Sequence, residues 1–227
     1  QVVARGAPTA APRRLGPLAL LESAVLVSGI GNGIAVVTIP WLVLERTGLA
    51  TSAGLVGAAT AIPLLISALF SGSIVDTLGR KRTAVFSDAC SALSVAAIPL
   101  VDRWLGLDMA LILALVVLGA VFDPAGATAR EAMIPELGRE ARWPLARTNA
   151  IHEATWGVSY LIGPAVGGLL IATIGPVTTL WATAVGFVFS GAAVMFIRAP
   201  GVGSPERSAR PKTVLAGSAE GVRLVWR

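Results

Sequence analysis

Glu153 is the last charge before 44 residues that carry none, with His152 beside it and Trp156 and Tyr160 three and seven residues further on. On a helix the acid and both rings share one face. A carboxylate in apolar surroundings can load and release a proton, and an acid backed by two aromatics can hold an amphiphilic cation. Glu153, Trp156 and Tyr160 are therefore the first candidates for a proton or cation-substrate site. The same face reads equally well as aromatic packing or interfacial anchoring. His152, the only histidine, reads either as a proton relay or as an end residue hydrogen-bonded to a loop, and the second reading is preferred. Asn32, midway along the first apolar stretch, is a cavity-lining candidate. Glu22, Asp88 and Asp123 fall nearer one end of their stretches and read as parts of a gate network with Arg80, Arg82 or the loop that follows Asp123. A charge at the centre of a lone membrane helix costs about 2.5–3.5 kcal/mol, so acids in such places face a cavity or a partner.

The elements that position these residues are membrane helices. The chain of 227 residues is 55% hydrophobic and 14% charged, with mean hydropathy +0.76, against roughly a quarter charged in soluble domains. One cysteine, Cys90, excludes an internal disulfide and any multi-cysteine metal site. No metal site and no cofactor is expected. Ser23 to Leu44 is an uncharged run of 22 residues, enough at about 1.5 Å per residue to cross a ~30 Å hydrocarbon core. Thr47 to Val75 gives a second span, Thr83 to Val101 a third and Trp104 to Phe122 a fourth. Ala154 to Ile197 holds two more, divided at Gly175-Pro176, a turn signal. The first run reads as a retained span, because it exceeds a signal-peptide core and ends at Trp41, Glu45 and Arg46, an interfacial anchor.

Six spans put both ends on one side, and the loop charges test that independently. Of 18 basic residues, 16 lie on the side of the N-terminal tail, the 2/3 and 4/5 loops and the final segment, leaving Arg46 and Arg103 opposite. That side is expected to be the cytoplasm. The sequence pI of about 10.6 is then a topology signal, and nucleic acid is not an expected partner.

Gly72, Asp76, Gly79, Arg80 and Lys81 form the 2/3 loop. Asp76 at a helix C-terminus opposes the helix dipole and calls for Arg80, Lys81 or the N-terminus of another helix beside it. Gly72 lets that helix come close, and Gly79 suits a tight turn. A plain basic loop with an incidental aspartate is the alternative. The spacing G-x-x-x-D-x-x-G-R-[RK] resembles the 2/3 loop of the major facilitator superfamily, with Thr77 where a base usually follows the aspartate. The resemblance assigns this loop a cytoplasmic gate. Gly119 has Leu115 four residues before it, where drug/proton antiporters of the superfamily often carry an arginine. Phe122-Asp123-Pro124-Ala125 through Ile134-Pro135-Glu136-Leu137 resembles macrolide-efflux and siderophore-exporter-like members. Gly157, Gly163, Pro164, Gly167 and Gly168 resemble the glycine-proline pattern that marks exporters, with generic small-residue packing as the alternative. Pro164 withholds a donor from the Tyr160 carbonyl, and Gly163 and Gly167 let a neighbouring helix pack closely. Gly29 and Gly33 share that spacing and read as packing.

The expectation is an all-α integral membrane protein with six transmembrane helices as a 3+3 inverted repeat, half of a twelve-helix major facilitator fold. Residues 1–14 are a cytoplasmic tail, 15–198 the bundle and 199–227 a connector toward a missing C-terminal half, with Glu220 to Arg227 as the lead-in to a seventh span. The start at Gln1 and the stop at Arg227 are read as the ends of a fragment. The resemblance implies a plasma-membrane exporter of small amphiphiles such as a drug, macrolide or siderophore, driven by proton antiport. Its partners would be the lipid bilayer, the substrate, protons and the second half. There is no H-E-x-x-H and no P-loop lysine motif, so an enzyme is not expected. An importer or facilitator of the same fold, and a six-span assembly protein without transport, are the rival readings.

Overall fold

A computed structural model describes residues 13–106 and 108–200. The described helices are α1 (Gly16–Thr47), α2 (Ala50–Leu78), α3 (Arg80–Leu105), α4 (Met109–Glu131), the short α5 (Ile134–Ala141), α6 (Leu145–Ile174) and α7 (Pro176–Phe196). Six of these segments are long and apolar enough to cross a membrane, with α4 and α5 together making one of them. The expected tail residues 1–12 and connector residues 201–227, including Glu220 to Arg227, lie outside the described residues.

Glycine with positive φ makes the tight reversals. Gly48, Gly79, Gly106 and Gly175 have φ of 68°, 87°, 73° and 79°, a region that costs a residue with a β-carbon and suits glycine. Gly175 alone separates α6 from α7, and Pro176 begins α7, where its missing N–H breaks no bond. The division expected at Gly175-Pro176 is the one observed.

The first four spans differ in extent from expectation. The fourth helix begins at Met109, after the Gly106 reversal, and runs to Glu131 rather than spanning Trp104 to Phe122. Charge-free windows end at Asp123, but Asp123 has its partner in Asn32 and Arg130 in Asp88, both inside the bundle, and the helix passes through both. Likewise α1 extends back past Glu22, which has a partner on α6. The second helix starts at Ala50 and carries Asp76 in its last turn, and α3 takes in Arg80, Lys81 and Arg82 at its start. The segment Ile134–Ala141, expected as loop, is helical and buries Ile134, Leu137, Gly138 and Ala141 on one side.

The neighbour pattern shows the repeat. Exchanging α1 with α4, α2 with α6 and α3 with α7 turns the α1–α6 contact into α4–α2 and the α1–α7 contact into α4–α3, and maps α3–α7 onto itself. Each unit has three segments long and apolar enough to cross a membrane, so in a bilayer the second begins from the opposite face, the arrangement of an inverted repeat.

Two apolar clusters close the bundle. One, with Leu21, Met133, Leu137 and Val194, lies at the end that holds the Gly79 turn. The other, with Leu42, Ile98, Leu180 and Phe187, lies toward the Gly48 end. Aromatic and charged residues sit at both limits: Trp143 packs under Arg13 and Arg147, with guanidinium carbons 5.3 and 4.2 Å from the ring. At the opposite limit Arg46 pairs with Asp102 at 2.6 Å and Trp104 is exposed.

The tightest seam joins α1 to α6. A β-carbon on Gly33 would stand 2.8 Å from Gly163 Cα and 2.9 Å from Pro164 Cδ, and one on Gly167 would stand 3.2 Å from Ile34 Cα. A β-carbon on Gly29 would collide with Ser159. The two glycine pairs, Gly29/Gly33 and Gly163/Gly167, thus pack along the same seam. No described residue lies within 4 Å of a β-carbon built on Gly157 or Gly168. Gly33→Val and Gly163→Val are each expected to lower stability by about 1–3 kcal/mol through overpacking. Their double variant should lose less than the sum, because both disrupt one contact. Thermal unfolding in detergent checks both statements.

Candidate functional site

A polar layer lies between the two apolar clusters. Asp88 on α3 and Arg130 on α4 form an ion pair whose side chains are both 3% exposed. Ser28 of α1 stands 3.3 Å from Asp88 Oδ1 and 3.4 Å from Arg130 Nη2. From α7, Ser190 Oγ lies 2.9 Å from both Asp88 Oδ2 and Ala24 O, and 3.4 Å from Arg130 Nη2. Two glycines make the space. A β-carbon on Gly191 would press on Asp88 Cβ at 3.3 Å, and one on Gly126 would collide with Ser87. Asp88 was expected in a network with Arg80, Arg82 or the 4/5 loop; its partner is Arg130, a base read as part of that loop, which the fold places in α4.

One turn deeper, Asn32 donates from Nδ2 to Asp123 at 3.0 Å (Oδ1) and 3.2 Å (Oδ2). Both residues are half-buried. Asp123 does not close a span within a gate network, as its place at the edge of a charge-free window suggested. Eight further residues of α4 follow it, and its carboxylate joins the middle of α1. Ser28 and Asn32 are four apart on α1 and Asp123 and Arg130 seven apart on α4, so each pair lines one stripe of its helix. Pro124 withholds a backbone donor from Ala120 O. Around that break the Ser67 hydroxyl bonds Val121 O and the Ser87 hydroxyl bonds Phe122 O, the latter at 2.9 Å.

Toward the Gly79 end, Glu22 Oε1 on α1 lies 3.3 Å from His152 Nδ1 on α6. The partner of His152 is thus an acid on another helix, not a loop. Glu153 points elsewhere: it is exposed, as is Tyr160, while Trp156 is half-buried. The Trp156 and Tyr160 rings pack 5.6 Å apart. The structure brings these two aromatics together and sets Glu153 apart from Glu22, Asn32 and Asp88, each of which has a partner within the bundle.

The 2/3 loop is built as its spacing predicts in one respect and differently in another. Gly79 is buried and turns the chain at positive φ. Lys81 does not meet Asp76; its Nζ donates to Ile197 O at 2.9 Å and so fastens the end of α7. Arg80 begins α3, and Thr77 bonds back to Ser73 O and Ile74 O of its own helix at 2.9 and 3.1 Å. Asp76 is exposed, and a β-carbon on Gly72 would meet nothing within 4 Å.

Arg130, Ser28 and Ser190 did not stand out in the sequence as site residues. The signal that could have found Arg130 is its seven-residue spacing from Asp123 across Gly126, an acid, a gap and a base on one stripe of an apolar helix.

Among known proteins, the family model for the Major Facilitator Superfamily matches residues 21–227. The multidrug efflux pump Tap of Mycolicibacterium fortuitum is 47% identical over 214 residues, 93% of this chain and 52% of that protein. Tap of Mycobacterium tuberculosis is 43% identical over 214 residues, 93% of this chain and 51% of its own length. The staphyloferrin A transporter of Staphylococcus aureus is 24% identical over 159 residues, 69% of this chain and 39% of that protein. The chain spans about half the length of the first two relatives. No solved structure is a significant match.

Removing one member of a buried ion pair strands the other charge, at a loss of about 3–5 kcal/mol. Arg130→Met is therefore expected to lower the melting temperature sharply, and adding Asp88→Asn should restore much of it. Differential scanning fluorimetry of the purified variants reads both effects.

Proposed function

This chain belongs to the Major Facilitator Superfamily, and from that premise we propose that it supplies six spans of an exporter of small amphiphilic molecules driven by proton antiport. A second six-helix unit would face it across a central cavity, and rocking of one unit against the other would expose the substrate to each side in turn. The observation that carries the reading is the Asn32–Asp123 pair. It sets a half-buried carboxylate midway along α1, between helices of both repeats, in a chain whose relatives at 43–47% identity are named multidrug efflux pumps. A carboxylate at that depth attracts an amphiphilic cation or a proton, and cannot hold both at full strength. That competition is the elementary requirement of antiport.

The exposed face of α6 supports the same reading. Glu153 and Tyr160 stand on it among apolar residues such as Leu161 and Leu169. A carboxylate facing lipid is disfavoured, so this face fits a cavity or the second unit. The helix α2 is also largely uncovered, with Gly72 and Asp76 open at its end, and a helix of the second unit would pack there under the gate assigned to this loop. The Gly79 end would be cytoplasmic, because the basic residues gather on that side. The plasma membrane is the expected location. Without a nucleotide-binding motif, the energy would come from an ion gradient rather than from catalysis.

In the full-length transporter, Asp123→Asn is expected to abolish uphill drug efflux while leaving the protein in the membrane at its normal level. Glu153→Gln should weaken efflux and flatten its response to a protonophore if α6 lines the cavity. Dye-efflux assays in cells with and without the protonophore measure both. Undiminished pumping by Asp123→Asn would remove the carboxylate from the mechanism.

A further inference from the structure

We propose that Glu22 and His152 form a second proton-binding site, apart from Asp123, that joins the first repeat to the second, an inference that rests on the proton-coupled reading above. The pair spans α1 and α6, with Nδ1 of His152 3.3 Å from Oε1 of Glu22. The side chains are 2% and 13% exposed. Nε2 of the ring and Oε2 of the acid are buried and have no hydrogen-bond partner among the described residues. A buried polar group without a partner costs free energy unless something meets it in another state. Two such atoms on one pair of titratable groups mark a candidate site.

The two protonation states differ in what α1 and α6 must bury. With Nδ1–H directed at the carboxylate, the incoming proton goes to Nε2, giving an imidazolium against a carboxylate, neutral as a pair and joined by a charge-assisted bond. When that proton leaves Nε2, one negative charge stays on Glu22 beside the apolar cluster of Leu18, Leu21 and Leu137. An uncompensated carboxylate there is unfavourable until water reaches it. Proton loading thus favours the packed junction of α1 on α6, and release favours a hydrated one. The substrate of this site is a proton delivered by water.

Among the described residues, Glu22 is the acid that stands against the His152 ring. On α5, Arg139 is paired with Glu136 at 2.9 Å, and Glu140 keeps one buried, unpartnered oxygen. On α6, Arg147 lies over Trp143 and Glu153 is exposed. On α4, Arg130 is held by Asp88, and α7 carries no charge. The site lies at the Gly79 end of the same seam where Gly29 and Gly33 meet Ser159 and Gly163, so opening there needs no side chains to be repacked deeper along the seam.

The test uses the full-length transporter in lipid nanodiscs with ¹⁵N-labelled histidine, the His152 signal being identified by its loss in His152→Gln. The expected result is that His152 changes protonation state across a pH series and that Glu22→Gln alters that change. In proteoliposomes both variants should lose the pH dependence of efflux while retaining downhill drug flux and drug affinity. A ring that keeps one protonation state across the range, or a titration unmoved by Glu22→Gln, would overturn the site. If the protein moves no drug against its gradient, the exporter reading fails, and the histidine titration alone then decides the proton site. Two variants are used because either may fold poorly, and a normal melting temperature in one suffices.

Discussion

An ion pair taken out of water calls for polar partners around it, and the Asp88–Arg130 pair draws them from two further helices, while Arg130 Nε stays buried without a partner among the described residues. Each unmet lone pair or N–H would add a penalty, so hydroxyls arrive from α1 and α7, while Gly126 and Gly191 give up side chains to let them close in. Four helices from both repeats therefore share one electrostatic centre. Their relative heights are set by it: α4 must run far enough past Asp123 to deliver Arg130, and α1 must enter early enough to present Ser28. The apolar clusters on either side are non-directional and would tolerate a slipped register that the pair does not.

Much of the architecture is legible in the sequence, because the bilayer imposes its own regularities. Uncharged runs of spanning length and basic residues gathered on one side follow from a solvent that accepts neither charge nor open backbone, and the Gly79 and Gly175 turns follow from residue type. The limits of the reading come from the same source. A hydropathy window sees that Asp123 and Glu22 are charged but not that Asn32 and His152 wait for them on other helices. Hence α4 was placed too early and α1 too short. The glycine pairs of α1 and α6 were each readable as packing seams, but nothing in either segment says that they pack on one another. That is a property of the inverted repeat, and it becomes visible only when the two halves of the chain are folded together.

The gate motif illustrates a division between local and distant information. Gly79 has a role set by its own backbone, and it performs it. Lys81 has a role set by whatever lies within reach, and it takes the carbonyl of Ile197 rather than the nearby acid. Thr77 turns its hydroxyl onto its own helix, where a longer base would have extended outward. Local conformation can be read from residue type, whereas the partner of a long flexible cation depends on what the fold brings near it.

The glycine seam between α1 and α6 has a mechanical consequence. Side chains interlocked like gear teeth resist sliding, because each must leave its socket before the helices can shift, whereas bare backbone against bare backbone has no teeth to disengage. The contact of Gly33 with Gly163 therefore acts as a bearing: it fixes how far apart the two helices stand while leaving them comparatively free to swivel.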